Sequence, residues 1–212
     1  MTKEESKKTP KRGKGRQRSL DREKDLFKDI KVIWRQGYEP ACLTDLCSAM
    51  EIKVSSLYAA FGSKAKLFLE AVNYYEETYW LPLAEKLESE PDVYLGIDKF
   101  FKQAAHILIS PDTPCGCLVV LAAVNISEDE REVIDVIKAL RMETKAMFAR
   151  RLQPAVDDGQ LPAETDVASL AGAFSTMLEG LSIQSRDGLS PVEMERIASH
   201  ALRLLPEKRQ PA

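Results

Sequence analysis

Long apolar runs are missing from this chain of 212 residues. The longest, Cys117 to Val124, is eight residues, where a membrane-spanning helix needs roughly 20, so no membrane partner is expected. No apolar stretch follows the basic residues near the N-terminus, so no secretory signal is read there and a cytoplasmic location is expected. Cysteine is scarce as well. Four of them without a secretory signal read as thiols and not as a disulfide framework. There are two histidines, His106 and His200, and neither stands in a metal or nucleophile motif. The glycine-rich phosphate loops, the nucleophile elbow and the paired-histidine zinc motif are absent too. Neither an enzyme nor a metal or cofactor is expected. No segment alternates polar and apolar residues as a half-buried strand does, so the chain is expected to be all-α.

Hydrophobic residues make up 44% and charged residues 30%, ordinary values for a globular protein. The net charge of −3 conceals an asymmetry. Residues 1–18 carry eight Lys/Arg against two Glu, residues 19–64 balance to zero, and residues 65–212 supply −9. Residues 1–18 have no periodic apolar positions and read as a disordered basic arm. Arg16 and Arg18 close a run of bases that can lie in a DNA minor groove. Taken alone, such a run reads more simply as a solvated tail. A small basic head beside an acidic body is the charge distribution of a DNA-binding protein with a second task.

The head is carried by Leu43 to Lys64, LTDLCSAMEIKVSSLYAAFGSK. Thr44 is expected to cap a short helix bearing Leu46, Ala49 and Met50, with Asp45 in its first turn. Glu51-Ile52-Lys53 reads as a corner. Ser55 or Ser56 is expected to cap a second helix with Leu57 and Phe61 inward, and a further helix starts at Lys64. Two short helices about a tight corner form a helix-turn-helix, whose second helix can enter the major groove. Its outward face would be Ser55, Ser56, Ala59 and Tyr58. Small side chains allow close approach, hydroxyls can bond to phosphates or bases, and the Ala methyl can meet thymine methyls. Tyr58 and Lys64 suit phosphates. A preceding helix is expected from Asp21 to Gln36, with Trp34 in its core face, although Trp34 also invites a base-stacking reading.

The strings Gly37-Tyr38-Glu39, Leu43-Thr44-Asp45-Leu46, Ser56 through Lys64 and Leu67-Phe68 resemble the N-terminal domain of the TetR/AcrR family of transcriptional regulators. The resemblance covers roughly residues 16 to 80. It implies DNA contacts from Arg16, Arg18, Thr44, Lys53, Ser55, Ser56, Tyr58, Ala59 and Lys64. Two positions depart from the family pattern. Glu51 stands where the corner usually has Gly, which asks a non-Gly residue for positive φ, and Lys53-Val54 replaces Ser followed by a base.

The body, residues 65–212, reads as helices throughout. They are expected at Lys64 to about Glu88 with a break at Pro82, at Asp92–Ser110, Cys115 to about Ile126, Glu128 to about Gln153, Asp166–Arg186 and Pro191 to about Leu205. The expected architecture is thus a three-helix head (19–64) and a helical body, about nine helices in all. Ala168, Gly172 and Ser175 form a line of small residues. The plain account is packing within the chain, whereas the resemblance implies a homodimer through the last two long helices. The resemblance also implies a small-molecule pocket, for which Phe100, Phe101, His106, Met147, Phe148, Phe174 and Met177 are candidates, each also readable as plain core. Pro114-Cys115-Gly116-Cys117 is the one candidate for chemistry in the body. A thiol at a helix N-terminus can have a lowered pKa, so Cys115 and Cys117 read as a redox or electrophile sensor, a soft-metal site, or small buried residues.

The resulting expectation is a repressor that binds double-stranded operator DNA as a homodimer and is released by an unknown small effector or by thiol modification. Two other readings stay open: a nonspecific or architectural DNA binder acting through the basic arm, and a helical protein-interaction module.

Overall fold

The computed structural model describes residues 30–207, and within these there is no strand. The Asp21 start of the first helix, and Arg16 and Arg18, lie outside the described residues. That helix is described as α1 (Lys31–Gln36), which buries Ile33 and Trp34 and stops at Gly37. Trp34 stands edge-on to Tyr75, with ring centroids 4.9 Å apart, so the indole belongs to the core. α2 (Leu43–Ala49) packs on α1, and α3 (Val54–Phe61) packs on α2.

α4 (Lys64–Tyr75) opens at Ser63, whose hydroxyl accepts the Lys66 N–H at 3.1 Å. It passes without a break into a π-helical stretch, Glu76–Trp80, and then into α5 (Leu81–Ser89). Pro82 was expected to kink or end the regular part of this helix. It lies instead in the first turn of α5. Proline has no N–H and collides with the carbonyl four residues back. The wide turn before it, in which the Leu81 N–H reaches back to the Glu76 carbonyl, relieves that conflict.

The body is built on α6 (Val93–Leu108), capped by Asp92, whose carboxylate accepts the N–H groups of Tyr94 and Leu95. α7 is only Leu118–Leu121, much shorter than the helix expected from Cys115 to Ile126. Gly116 takes φ 90°, outside any helix, and Arg141 holds the carbonyls of Val119, Val120 and Ala123 that a longer helix would have used internally. α8 (Arg131–Asp157) runs through Pro154 past the expected end at Gln153. α9 (Val167–Arg186) and α10 (Pro191–Ser199) begin at Asp166 and at a Ser190–Glu193 capping box. Phe100, Phe101, Phe148 and Phe174 meet at the centre with centroid separations of 5.1 to 5.8 Å. Gly172 lies against Lys145 of α8, and Ser175 is buried, so part of the small-residue line serves packing within the chain. Leu95 of α6 and Val136 of α8 are among the apolar residues that point outward.

Head and body meet along one seam. The Tyr38 N–H donates to the Ala122 carbonyl at 2.6 Å, and the Ser127 N–H donates to Glu39 Oε1 at 3.0 Å. Arg186 donates to the Arg35 carbonyl at 2.6 Å.

Candidate nucleic-acid interface and body cavity

α2 enters the corner with a cap other than Thr44. The Cys42 sulfur accepts the Asp45 N–H at 3.4 Å, and Thr44 stands exposed within the first turn. A residue two places ahead of the expected one can act because its extended backbone, φ −86° and ψ 158°, aims the side chain at the first free N–H groups. Glu51 takes φ 52°, the strained conformation expected where the family has Gly. The Ile52 N–H then returns to the Cys47 carbonyl at 3.0 Å, which closes the corner tightly.

α3 starts earlier than expected. Its N-cap is Lys53, which offers no side-chain acceptor, so neither Ser55 nor Ser56 caps it. Both hydroxyls are on the first helical turn instead. Leu57 is fully buried, and Ser55, Ser56, Tyr58 and Ala59 are exposed, as are Lys53 and Val54. The seven-residue exposed edge from Lys53 to Ala59 is interrupted only by that leucine. Lys64 is differently placed. Its ammonium sits 4.4 Å from the centre of the Tyr38 ring and donates to the Glu39 carbonyl at 3.4 Å, and burial pulls its pKa down. It braces the head from within its fold while remaining half-exposed.

The second site is a cavity of about 310 Å³ in the body. Its walls come from the π turn and α5 (Glu76, Trp80, Ala84), α6 (Phe100), the α7 segment (Val119, Val120), α8 (Leu140, Arg141, Met147) and α9 (Leu178, Ser182). Of the expected pocket residues only Phe100 and Met147 line it. Phe101, Phe148 and Phe174 are sealed in the aromatic core. Met177 is not among the lining residues, and His106 faces outward, with Nε2 3.0 Å from Glu195 Oε1. Helical periodicity separates inside from outside and cannot show which inward residues border a void. Glu76, Trp80, Arg141 and Ser182 went unread for that reason. The one available signal was Pro82 within a helical pattern, which marks the irregular turn beside them.

Cys117 also lines the cavity, and the expectation of a lowered pKa there is reversed. Its N–H donates to Ser182 Oγ at 2.8 Å, and the buried thiol is pushed up to about 12, by desolvation first and then by the Glu76 charge. α7, of four residues, supplies little dipole against that. Cys115 is exposed. Among the described residues no three His, Cys, Asp or Glu side chains gather as a metal site.

Two exposed short helices about a strained corner, carried by an all-helical body with a cavity open to its surface, are matched by known proteins over nearly the whole length. A family model described as the tetracyclin repressor-like C-terminal domain matches residues 96–201, half of the chain. The HTH-type transcriptional repressor ComR of Escherichia coli strain K12 is 30% identical over 202 residues, 93% of this chain and 94% of its own. The chain belongs to the TetR family of transcriptional regulators. The similarity extends to solved structures. A cysteine-substituted form of the TetR family regulator CifR, complexed with 26-base-pair operator DNA, is 36% identical with a TM-score of 0.82, over 88% of this chain and 97% of that one. HTH-type transcriptional repressor BdcR of Escherichia coli strain K12 is 28% identical over 162 residues, 76% of this chain. This TetR family member is a transcriptional regulator with a helix-turn-helix head, and not an enzyme. None of its described helices is long and apolar enough to cross a membrane.

Proposed function

We propose that the chain is a repressor that binds operator DNA as a homodimer and leaves it when a small molecule fills the body cavity. The observation that carries this is the bare outer face of α3. Ser55, Ser56, Tyr58 and Ala59 are all exposed on a helix whose one fully buried side chain, Leu57, anchors it. Thr44 and Lys53 flank that face, and Arg16 and Arg18 of the basic arm (1–18) would add phosphate contacts. Lys64 holds the head (19–64) in shape and reaches DNA only at the rim. Single helix-turn-helix heads bind weakly, and a twofold dimer that presents two of them to successive major grooves answers this. α9 and α10 of the body (65–212) are the proposed interface, where Ile183 and Val192 remain exposed.

The cavity and the seam share one segment. Val119 and Val120 line the void, and Ala122, two residues on, accepts from Tyr38. Arg141 lines the void too and holds the carbonyls of Val119, Val120 and Ala123. A ligand that moves this segment moves the acceptor on which the head rests. A coupling of roughly 1–3 kcal/mol would change operator affinity about 5- to 150-fold.

The test is binding to the DNA upstream of the protein's own gene against scrambled DNA of equal length, across a salt series. A preference for the upstream fragment that persists at moderate salt and disappears in Tyr58→Ala supports the reading. Equal binding to both fragments that collapses as salt rises would leave only the basic arm at work and sink it.

A further inference from the structure

The cavity's charges are not equally occupied. Its apolar walls are Trp80, Phe100, Val119, Leu140, Met147 and Leu178. Two cations line it, and both already have partners. Arg141 donates to three carbonyls. Arg150 bridges Glu88 at 3.2 Å and Glu143 at 2.8 Å, so those two carboxylates share one cation. Glu77 accepts from Asn73 at 2.9 Å. Glu76, Glu85 and Glu179 differ: among the described residues no cation and no hydrogen-bond donor meets these three carboxylates, Glu85 is exposed, and burial weighs on Glu76. Glu76 projects from the π turn into the cavity wall, and the neighbouring groups on packed elements are the neutral Cys117 thiol and Tyr75 hydroxyl.

We infer that the molecule this cavity receives is an apolar organic cation, a protonated amine or a quaternary ammonium, whose charge sits against the Glu76 carboxylate while its hydrocarbon part packs between Trp80 and Phe100. This rests on the reading of the cavity as the effector site. A carboxylate without a partner in an apolar wall is costly unless something compensates it, and burial alone raises the Glu76 carboxyl to about 7. A cation restores the missing partner. An anion would meet Glu76, Glu85 and Glu179 with both arginines already engaged. The volume of about 310 Å³ admits a single-ring molecule, at the small end of ligand pockets.

Three probes with one skeleton and three charges test this at pH 8: phenylbutylamine, phenylbutanol and phenylbutyrate, titrated calorimetrically into the full-length protein and into Glu76→Gln. The amine is expected to bind about tenfold or more tighter than the alcohol, and the acid weakest. Glu76→Gln is expected to bring the amine to within about threefold of the alcohol while alcohol binding stays as it was, which also shows the variant's cavity is intact. Equal affinities for all three probes, a preference for the acid, no binding of the amine, or an amine preference that survives Glu76→Gln would each overturn the inference. The same probes are then added to the protein bound to its upstream DNA. Release by the amine alone is the expected result. Binding of the amine without release would overturn the effector reading and leave the ligand class standing.

Discussion

Glu76 places a carboxyl that titrates near 7 in the folded chain, against an ordinary 4.5, in a wall made chiefly of carbon. The folded state holds this proton to higher pH than the unfolded state does. The contribution of this group to stability is therefore greatest below about pH 4.5, falls as pH rises towards 7, and stays reduced above that, by at most about 3 kcal/mol. Glu76→Gln should raise the urea midpoint at pH 8, and the gain over the parent should shrink to under about 1 kcal/mol at pH 5. An equal gain at both values would show that desolvation of the charge is not the cause. Gly116 is the opposite kind of residue, needed for what it lacks. Its φ of 90° is left-handed, and a Cβ there would stand 2.9 Å from the Ser182 carbonyl and run into Leu121. Gly116→Ala should cost roughly 1–3 kcal/mol, visible as a lowered thermal midpoint with the helix content retained below it. At this scale the sequence was legible where chemistry is local. The departure from Gly at the corner announced the positive φ of Glu51. It was not legible for Cys117, whose neighbours Glu76 and Ser182 lie far along the chain, nor for His106, which helical spacing alone could not assign to the outer surface.

Element starts were read well where an Asp or Ser side chain caps its own helix, and less well at α2, which Cys42 caps. Asp92, Asp166, Ser190 and Ser63 each accept N–H groups within three residues, a relation that sequence spacing carries in full. The misread extent of α7 depends on a distant partner. α7 stops early because Arg141, twenty-odd residues on, takes its carbonyls. α5 ends against α8 in a similar way: Arg151, which is 5% exposed, donates to Leu87 at 3.1 Å, Glu90 at 2.7 Å and Pro91 at 3.1 Å. One buried guanidinium thereby closes the end of α5 and holds the turn into α6. Arg151→Met keeps the aliphatic stem and strands those carbonyls, so it should cost about 3 kcal/mol or more. The denaturant midpoint would report it, and an unchanged midpoint would mean that water replaces the guanidinium without loss.

For the whole molecule, the all-helical architecture followed from periodicity, and the head from a string of residues specific enough to carry a resemblance. The resemblance implied a pocket, but most of its lining could not be foreseen, since a void is a property of five packed segments and of no one of them. The proposed dimer is tested at this scale. Ile183 on α9 is 50% exposed, and Ile183→Glu should give a monomer by sedimentation at micromolar concentration, with helix content unchanged and operator affinity down about a hundredfold or more. A variant that remains dimeric would move the interface elsewhere. The π turn at Glu76–Trp80 has a consequence for how head and body are phased. Such a turn amounts to one residue inserted into a regular helix. Deleting one residue there would restore the regular helix and rotate everything beyond it by roughly 100°. The side chains of α5 that now face α6 and α8 would turn towards water, while the head kept its place on α4. A relative that lacks the turn would show a one-residue gap at this point in an alignment. It would have had to repack its body around a differently oriented α5, and with it the wall that carries Glu76.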